Sequence, residues 1–132
     1  MTNYQEQALR TLSTHFVLGE KGEPGRATPE MLHGAIGLAT EAGELLDVLK
    51  RAVYYGQPID RTNLIEELGD LEWYMAVLRD ALGVTQEEVQ ERNIAKLRAR
   101  YPERFTNVHA LKRDLAKERA VLEGEDGSAP LR

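Results

Sequence analysis

Between Pro29 and Leu82 the apolar residues of this chain fall three or four positions apart, with one interruption at Tyr55-Gly56-Gln57-Pro58. A helix gathers residues at that spacing onto one face, whereas a strand requires alternation, and no segment sustains a period of two. The spacing therefore predicts an all-α fold, a compact bundle of four main helices with a weaker fifth. The first helix is expected from about Thr2 to Val17, on Tyr4, Ala8, Leu12 and Phe16. Gly19 to Arg26 reads as a Gly/Pro-rich loop. Thr28 then caps a second helix that begins at Pro29 and runs to about Val53. Its expected core face is Ala35, Leu38, Ala39, Ala42, Leu45, Leu46 and Leu49. The third helix opens near Asp60–Asn63, with Asn63 and Glu66 as a capping-box-like pair. Its stripe is Leu64, Leu68, Leu71, Met75, Leu78 and Leu82, and Gly83 ends it. Thr85 and Glu88 cap a fourth helix that stops near Tyr101-Pro102, and the fifth is expected from Val108 to Leu122. Residues 1–124 are read as a single domain and 125–132 as a disordered tail.

Composition removes several chemistries. The chain has 132 residues and no cysteine, so disulfides, thiolate zinc sites and thiol nucleophiles are excluded. Its net charge is −5 with no basic block, which argues against holding a nucleic-acid backbone. No apolar run approaches the roughly 18–20 residues needed to cross a bilayer. The polar start, Met1 to Arg10, lacks the plan of a signal peptide. A cytoplasmic protein with no membrane and no nucleic-acid partner is the expectation.

Two stretches resemble each other: Glu41-Ala42-Gly43-Glu44-Leu45 and Glu67-Leu68-Gly69-Asp70-Leu71. Residues i and i+3 share a helix face, so each stretch projects two carboxylates in one direction. A short connection should fold the two helices antiparallel, which lets the pairs face one another. Four converging carboxylates repel unless cations sit between them. An E-x-x-E on a helix is ordinarily a solvated face; its repetition around a matching glycine is what points to a site. Oxygen-only ligands suit Mg²⁺, Mn²⁺ or Ca²⁺, whereas zinc and iron sites usually recruit His or Cys. Glycine within a helix costs roughly 1 kcal/mol against alanine, so Gly43 and Gly69 predict close helix approach.

Glu-x-x-Glu followed by Glu-x-x-Asp resembles the signature of the MazG-like all-α nucleotide pyrophosphohydrolases. LATEAGELLDVLKR (38–51) and NLIEELGDLEWYMAVL (63–78) look like their two core helices, and NIAKLRARYPERF (93–105) like their fourth. The similarity covers about residues 30 to 105 and is greatest to small single-domain versions encoded by bacteria and their phages. It implies cleavage of nucleoside triphosphates between the α- and β-phosphates, giving a monophosphate and pyrophosphate. It also implies a homodimer or homotetramer. Glu41, Glu44, Glu67 and Asp70 match the family's metal-binding and catalytic carboxylates, for about two or three Mg²⁺ ions with Mn²⁺ able to substitute. Asn93 and Lys96 match positions that hold substrate phosphates or sugar.

Beside the resemblance, Asn93, Lys96 and Arg100 form one stripe of the fourth helix, a set of donors suited to a polyphosphate. His33, two turns before Glu41, is a candidate contact for base or sugar, and Trp73, one turn past Asp70, a candidate stacking surface. Tyr54 and Tyr55 are candidate pocket walls, with Asp47 and Glu66 as supporting acids. Core packing is the competing role for each aromatic residue. Three alternatives stay open: a phosphoribosyl-ATP pyrophosphohydrolase, a dUTP/dCTP-type hydrolase, and a helical dimerisation module without activity. No residue selects a base or a sugar.

Overall fold

The computed structural model describes residues 3–124, and every regular element among them is helical. The tail expected at 125–132 lies outside the described residues, as do Met1 and Thr2. The chain divides into two compact units, one ending at Leu82 and the other starting at Gly83.

The first unit holds α1 (Tyr4–Leu9), α2 (Pro29–Tyr55) and α3 (Arg61–Leu82). α1 is far shorter than the helix expected to reach Val17. Asn3 and Glu6 close a capping box at its start, but side chains compete for the backbone at its end. The Thr11 hydroxyl donates to the Ala8 carbonyl at 2.9 Å, and the Ser13 hydroxyl donates to the His15 carbonyl at 3.1 Å. Leu12 and Phe16 remain exposed, so no tertiary burial offsets this competition.

α2 begins as its sequence dictates. The Thr28 hydroxyl, fully buried, accepts from the Met31 amide at 3.3 Å, and Pro29 occupies the first turn. It ends where Gly56 takes φ 65°, a left-handed conformation that costs glycine no Cβ clash. α3 is capped differently from expectation. The Asp60 carboxylate, not Asn63, accepts from the backbone, taking the Asn63 amide at 3.0 Å. That leaves the Asn63 side chain free for other work.

α2 packs against α3. The pairing is antiparallel: Gly34 abuts Leu78, Gly37 abuts Tyr74, and Glu41 meets Glu67 and Asp70. Close approach therefore occurs one to three turns earlier than Gly43 and Gly69 suggested. A Cβ on Gly34 would lie 2.7 Å from Leu78 Cγ, and one on Gly37 would lie 2.1 Å from Tyr74 Cε1. Neither Gly43 nor Gly69 has any such neighbour within 4 Å. Glycine spacing alone could not tell these two pairs apart; the bulk of the facing residue decides.

The expected core is also only partly buried. Leu38, Leu45, Leu64, Leu71, Met75 and Leu78 are half-buried, and Ala81 is the one buried apolar residue among those described. Leu46 keeps 64% of its surface exposed, Leu68 54% and Leu82 61%. A helix with an apolar stripe wider than about 100° needs more than one neighbour, and each of these helices has one long partner within the unit.

The second unit comprises α4 (Gln86–Arg100), α5 (Asn107–Leu111) and α6 (Leu115–Glu123), with α4 packed on α6. The Thr85 hydroxyl caps α4 at the Glu88 amide, 3.1 Å away, as its sequence predicts. The single fifth helix expected from Val108 to Leu122 is two. The Asp114 carboxylate accepts from the Lys117 amide at 3.0 Å and starts α6 afresh.

Candidate metal centre

Within the first unit, antiparallel pairing carries Glu41 of α2 to Glu67 and Asp70 of α3. One carboxylate oxygen from each lies within 4.8 Å of the others. Glu67 is buried at 5% exposure, Glu41 is half-buried and Asp70 is exposed, so the group opens from the helix interface toward solvent. Burial pushes the Glu41 carboxyl above its ordinary range, and the neighbouring Glu44, Asp70 and Glu67 carboxylates push it further. Like charges at this spacing favour a shared proton or a cation.

All three groups are hard carboxylate oxygens, and no His or Cys joins them, a donor set suited to a hard divalent cation over zinc or iron. Glu44 stands apart from this trio. It lines an adjacent cavity of about 690 Å³ together with Glu67, Thr40, Asp47, Arg51 and Asn63. Gln57, Pro58 and Asp60, from the α2–α3 connection, also line it.

The walls are held by local pairs. Asp47 accepts from Arg51 at 2.6 Å and also pairs with Lys50, and these cations hold its carboxyl below the usual range. The Asn63 side-chain amide donates to Glu67 Oε1 at 2.8 Å. This contact was not anticipated from sequence, where Asn63 read as a cap; its signal is an Asn four residues before a carboxylate on the same helix.

His33 and Trp73 lie elsewhere, and neither lines the cavity. With Tyr74 they form an edge-to-face cluster: His33 stands 6.1 Å from Trp73 and 5.7 Å from Tyr74, and the Trp73 and Tyr74 rings are 4.9 Å apart. Trp73 keeps 54% of its surface exposed. Tyr54 lines a shallow apolar groove with Leu46, Leu49 and Val53.

Asn93, Lys96 and Arg100 stand on α4, in the second unit. Asn93 is exposed and Lys96 half-buried. Arg100 is engaged within its own unit: its Nε and Nη2 donate to the Glu118 carboxylate at 2.9 and 2.7 Å. Arg113 grips the same carboxylate at 3.2 and 2.7 Å. Between these two forks the Glu118 carboxyl is held down to about 2, by Arg113 first and Arg100 next, and Glu118 in turn raises Arg100. Sequence reading missed Glu118, because nothing local marks an acid that pairs across 18 residues.

Comparison with known proteins gives one sequence relative and one family match. Gene 37 protein of Mycobacterium phage L5 is 33% identical over 85 residues, covering 58% of this chain and 75% of that protein. No solved structure matches the chain significantly. The family profile of the MazG nucleotide pyrophosphohydrolase domain matches residues 32–105, a span that holds all four carboxylates and α4. On that match, more than half the chain long, the protein belongs to the MazG nucleotide pyrophosphohydrolase domain family.

Proposed function

We propose that this chain is a metal-dependent nucleoside triphosphate pyrophosphohydrolase that cleaves between the α- and β-phosphates, releasing a (deoxy)nucleoside monophosphate and pyrophosphate. The observation that carries it is the convergence of Glu41, Glu67 and Asp70, from two helices, into one all-oxygen group inside the span matched by the family. Mg²⁺ or Mn²⁺ held there would neutralise the triphosphate oxygens and favour in-line attack by water. The remaining roles fall to the protein. Glu67, buried, fixes the centre to the helix interface; Asp70, exposed, faces incoming substrate. Glu41 or Glu44, the latter lining the same cavity as Glu67, is assigned to orient the attacking water or take its proton. Asn93 and Lys96 are assigned to the substrate's phosphates or sugar on the family resemblance. Arg100 is committed to Glu118, so the assignment gives it the support of α4 instead.

The reading includes self-association in the bacterial or phage-infected cytoplasm, as a dimer or tetramer. The exposed stripe Leu46, Leu49, Val53 and Tyr54 on α2 supports it: a second copy that covered these residues would complete a core that one chain leaves half-built.

The decisive experiment incubates the protein with a panel of ribo- and deoxyribonucleoside triphosphates, including dUTP, in Mg²⁺, Mn²⁺ or EDTA. Metal-dependent formation of a monophosphate with pyrophosphate is expected, and Glu67→Gln and Asp70→Ala should abolish it while the helical circular-dichroism spectrum stays. Turnover that survives EDTA, or survives both substitutions, contradicts the proposal. Among the described residues no helix is long and apolar enough to cross a membrane.

A further inference from the structure

Glu67 is the most buried member of the carboxylate group, and one of its two oxygens is already used. Asn63 Nδ2 donates to Glu67 Oε1 at 2.8 Å, across one turn of α3. Only the NH₂ edge of an amide can donate to a carboxylate, so the orientation of this side chain is dictated by its partner. Asn63 is itself fixed from below. Its backbone N–H is tied to the Asp60 carboxylate at 3.0 Å, which sets the first turn of α3 and with it the direction in which the Asn63 side chain leaves the helix. The chain Asp60, Asn63, Glu67 thus runs from the helix start into the carboxylate group, and all three residues line the same cavity.

We infer that Asn63 is a positioning residue for the metal centre: by holding one oxygen of Glu67 it turns the other toward Glu41 and Asp70. The inference rests on the metal-dependent reading above. A free glutamate has three rotatable bonds, and each of its orientations that points away from the ligand cluster weakens metal affinity. One hydrogen bond removes most of them. The chemistry of the holding group matters as much as its place. A lysine or arginine at 63 would pin Glu67 equally well but would neutralise charge that a divalent cation requires, whereas a neutral amide orients the carboxylate and leaves it anionic. An aspartate there would present an acceptor to an acceptor. Hydrogen bonds of this kind to metal-ligating groups typically govern affinity by about 10–100-fold.

The test compares the wild type with Asn63→Leu, which keeps the branched shape and loses the donor, and Asn63→Gln, which keeps the donor on a longer arm. Mn²⁺ binding is measured by electron paramagnetic resonance of free Mn²⁺ in the absence of nucleotide. The half-activating Mn²⁺ concentration is then read with a triphosphate turned over by the wild type. Asn63→Leu should weaken Mn²⁺ binding and raise the half-activating concentration by about 10–100-fold, with kcat recovered at saturating Mn²⁺ and an unchanged circular-dichroism spectrum. Asn63→Gln should recover part of the affinity. Wild-type affinity in Asn63→Leu overturns the inference, as does a loss of kcat that saturating Mn²⁺ does not restore. If the wild type binds no Mn²⁺, the metal centre itself is refuted, and this outcome is distinct because it appears before any variant is made.

Discussion

Replacing Gly37 with alanine sets two calculable effects against each other. Alanine is favoured over glycine within a helix by about 1 kcal/mol, so in an unobstructed helix Gly37→Ala would stabilise. Here the new methyl would lie 2.1–2.4 Å from Cε1, Cδ1 and Cζ of Tyr74, far inside van der Waals contact. A ring is rigid, so relief requires that Tyr74 swing as a whole or that α2 and α3 part. Forced overpacking of this kind costs about 1–3 kcal/mol. Moving Tyr74 also disturbs its edge contacts with His33 and Trp73, at 5.7 and 4.9 Å, each worth about 0.5–1.5 kcal/mol. Even with partial loss of those contacts the clash prevails, and the expected net change is a destabilisation of about 1–3 kcal/mol. Gly43→Ala and Gly69→Ala supply the control, since neither methyl meets anything within 4 Å, and each should stabilise by about 0.4–1 kcal/mol. Urea unfolding followed at 222 nm measures all three, at one fixed protein concentration so that self-association does not shift the midpoint. A Gly37→Ala protein as stable as the wild type would refute the packing argument. Destabilisation by Gly43→Ala would show instead that another chain approaches α2 at that glycine.

Two predictions concern protons. Glu118 is held at about 2 by its two arginines against an ordinary 4.5, so the stability it contributes is fully present above about pH 4.5 and is lost as pH falls toward 2. Acid titration should melt the α4–α6 pairing within that window, and Glu118→Gln should flatten this part of the curve; an unchanged curve would mean that the ion pairs contribute nothing in solution. Glu41 has the opposite sign. Its raised carboxyl means that ionisation opposes folding as pH climbs above the ordinary carboxylate range, so in EDTA at pH 7–8 Glu41→Gln should have a higher Tm than the wild type. Mg²⁺ should raise the wild-type Tm and narrow that gap, and a lower Tm for Glu41→Gln in EDTA would contradict the repulsion.

Helix identity was legible in the residues because it is a local property. Thr28-Pro29, Gly56 at φ 65° and Thr85 each act within one turn, and their caps formed where the sequence placed them. The shared face of Glu67 and Asp70 was legible for the same reason: i, i+3 spacing sets it before any packing is known. Where local signals competed, sequence was ambiguous. Thr11 and Ser13 turned their hydroxyls on the backbone and ended α1 early, and Asp114 split the C-terminal helix. Other features depend on which residue faces which across an interface, and no spacing along one helix encodes that. Tertiary structure alone chose Gly34 and Gly37 over Gly43 and Gly69 as the close-packed pair, because Leu78 and Tyr74 stand opposite the first pair and, among the described residues, nothing comes within 4 Å of a Cβ at the second. It alone committed Arg100 to Glu118, and it drew Glu41 to Glu67 and Asp70 while leaving Glu44 on the cavity wall. The sequence by itself determined the helices and the chemistry of their carboxylates; the antiparallel packing of α2 on α3 decided which of those carboxylates meet, because distance across an interface is set by the bulk of the side chains between the helices.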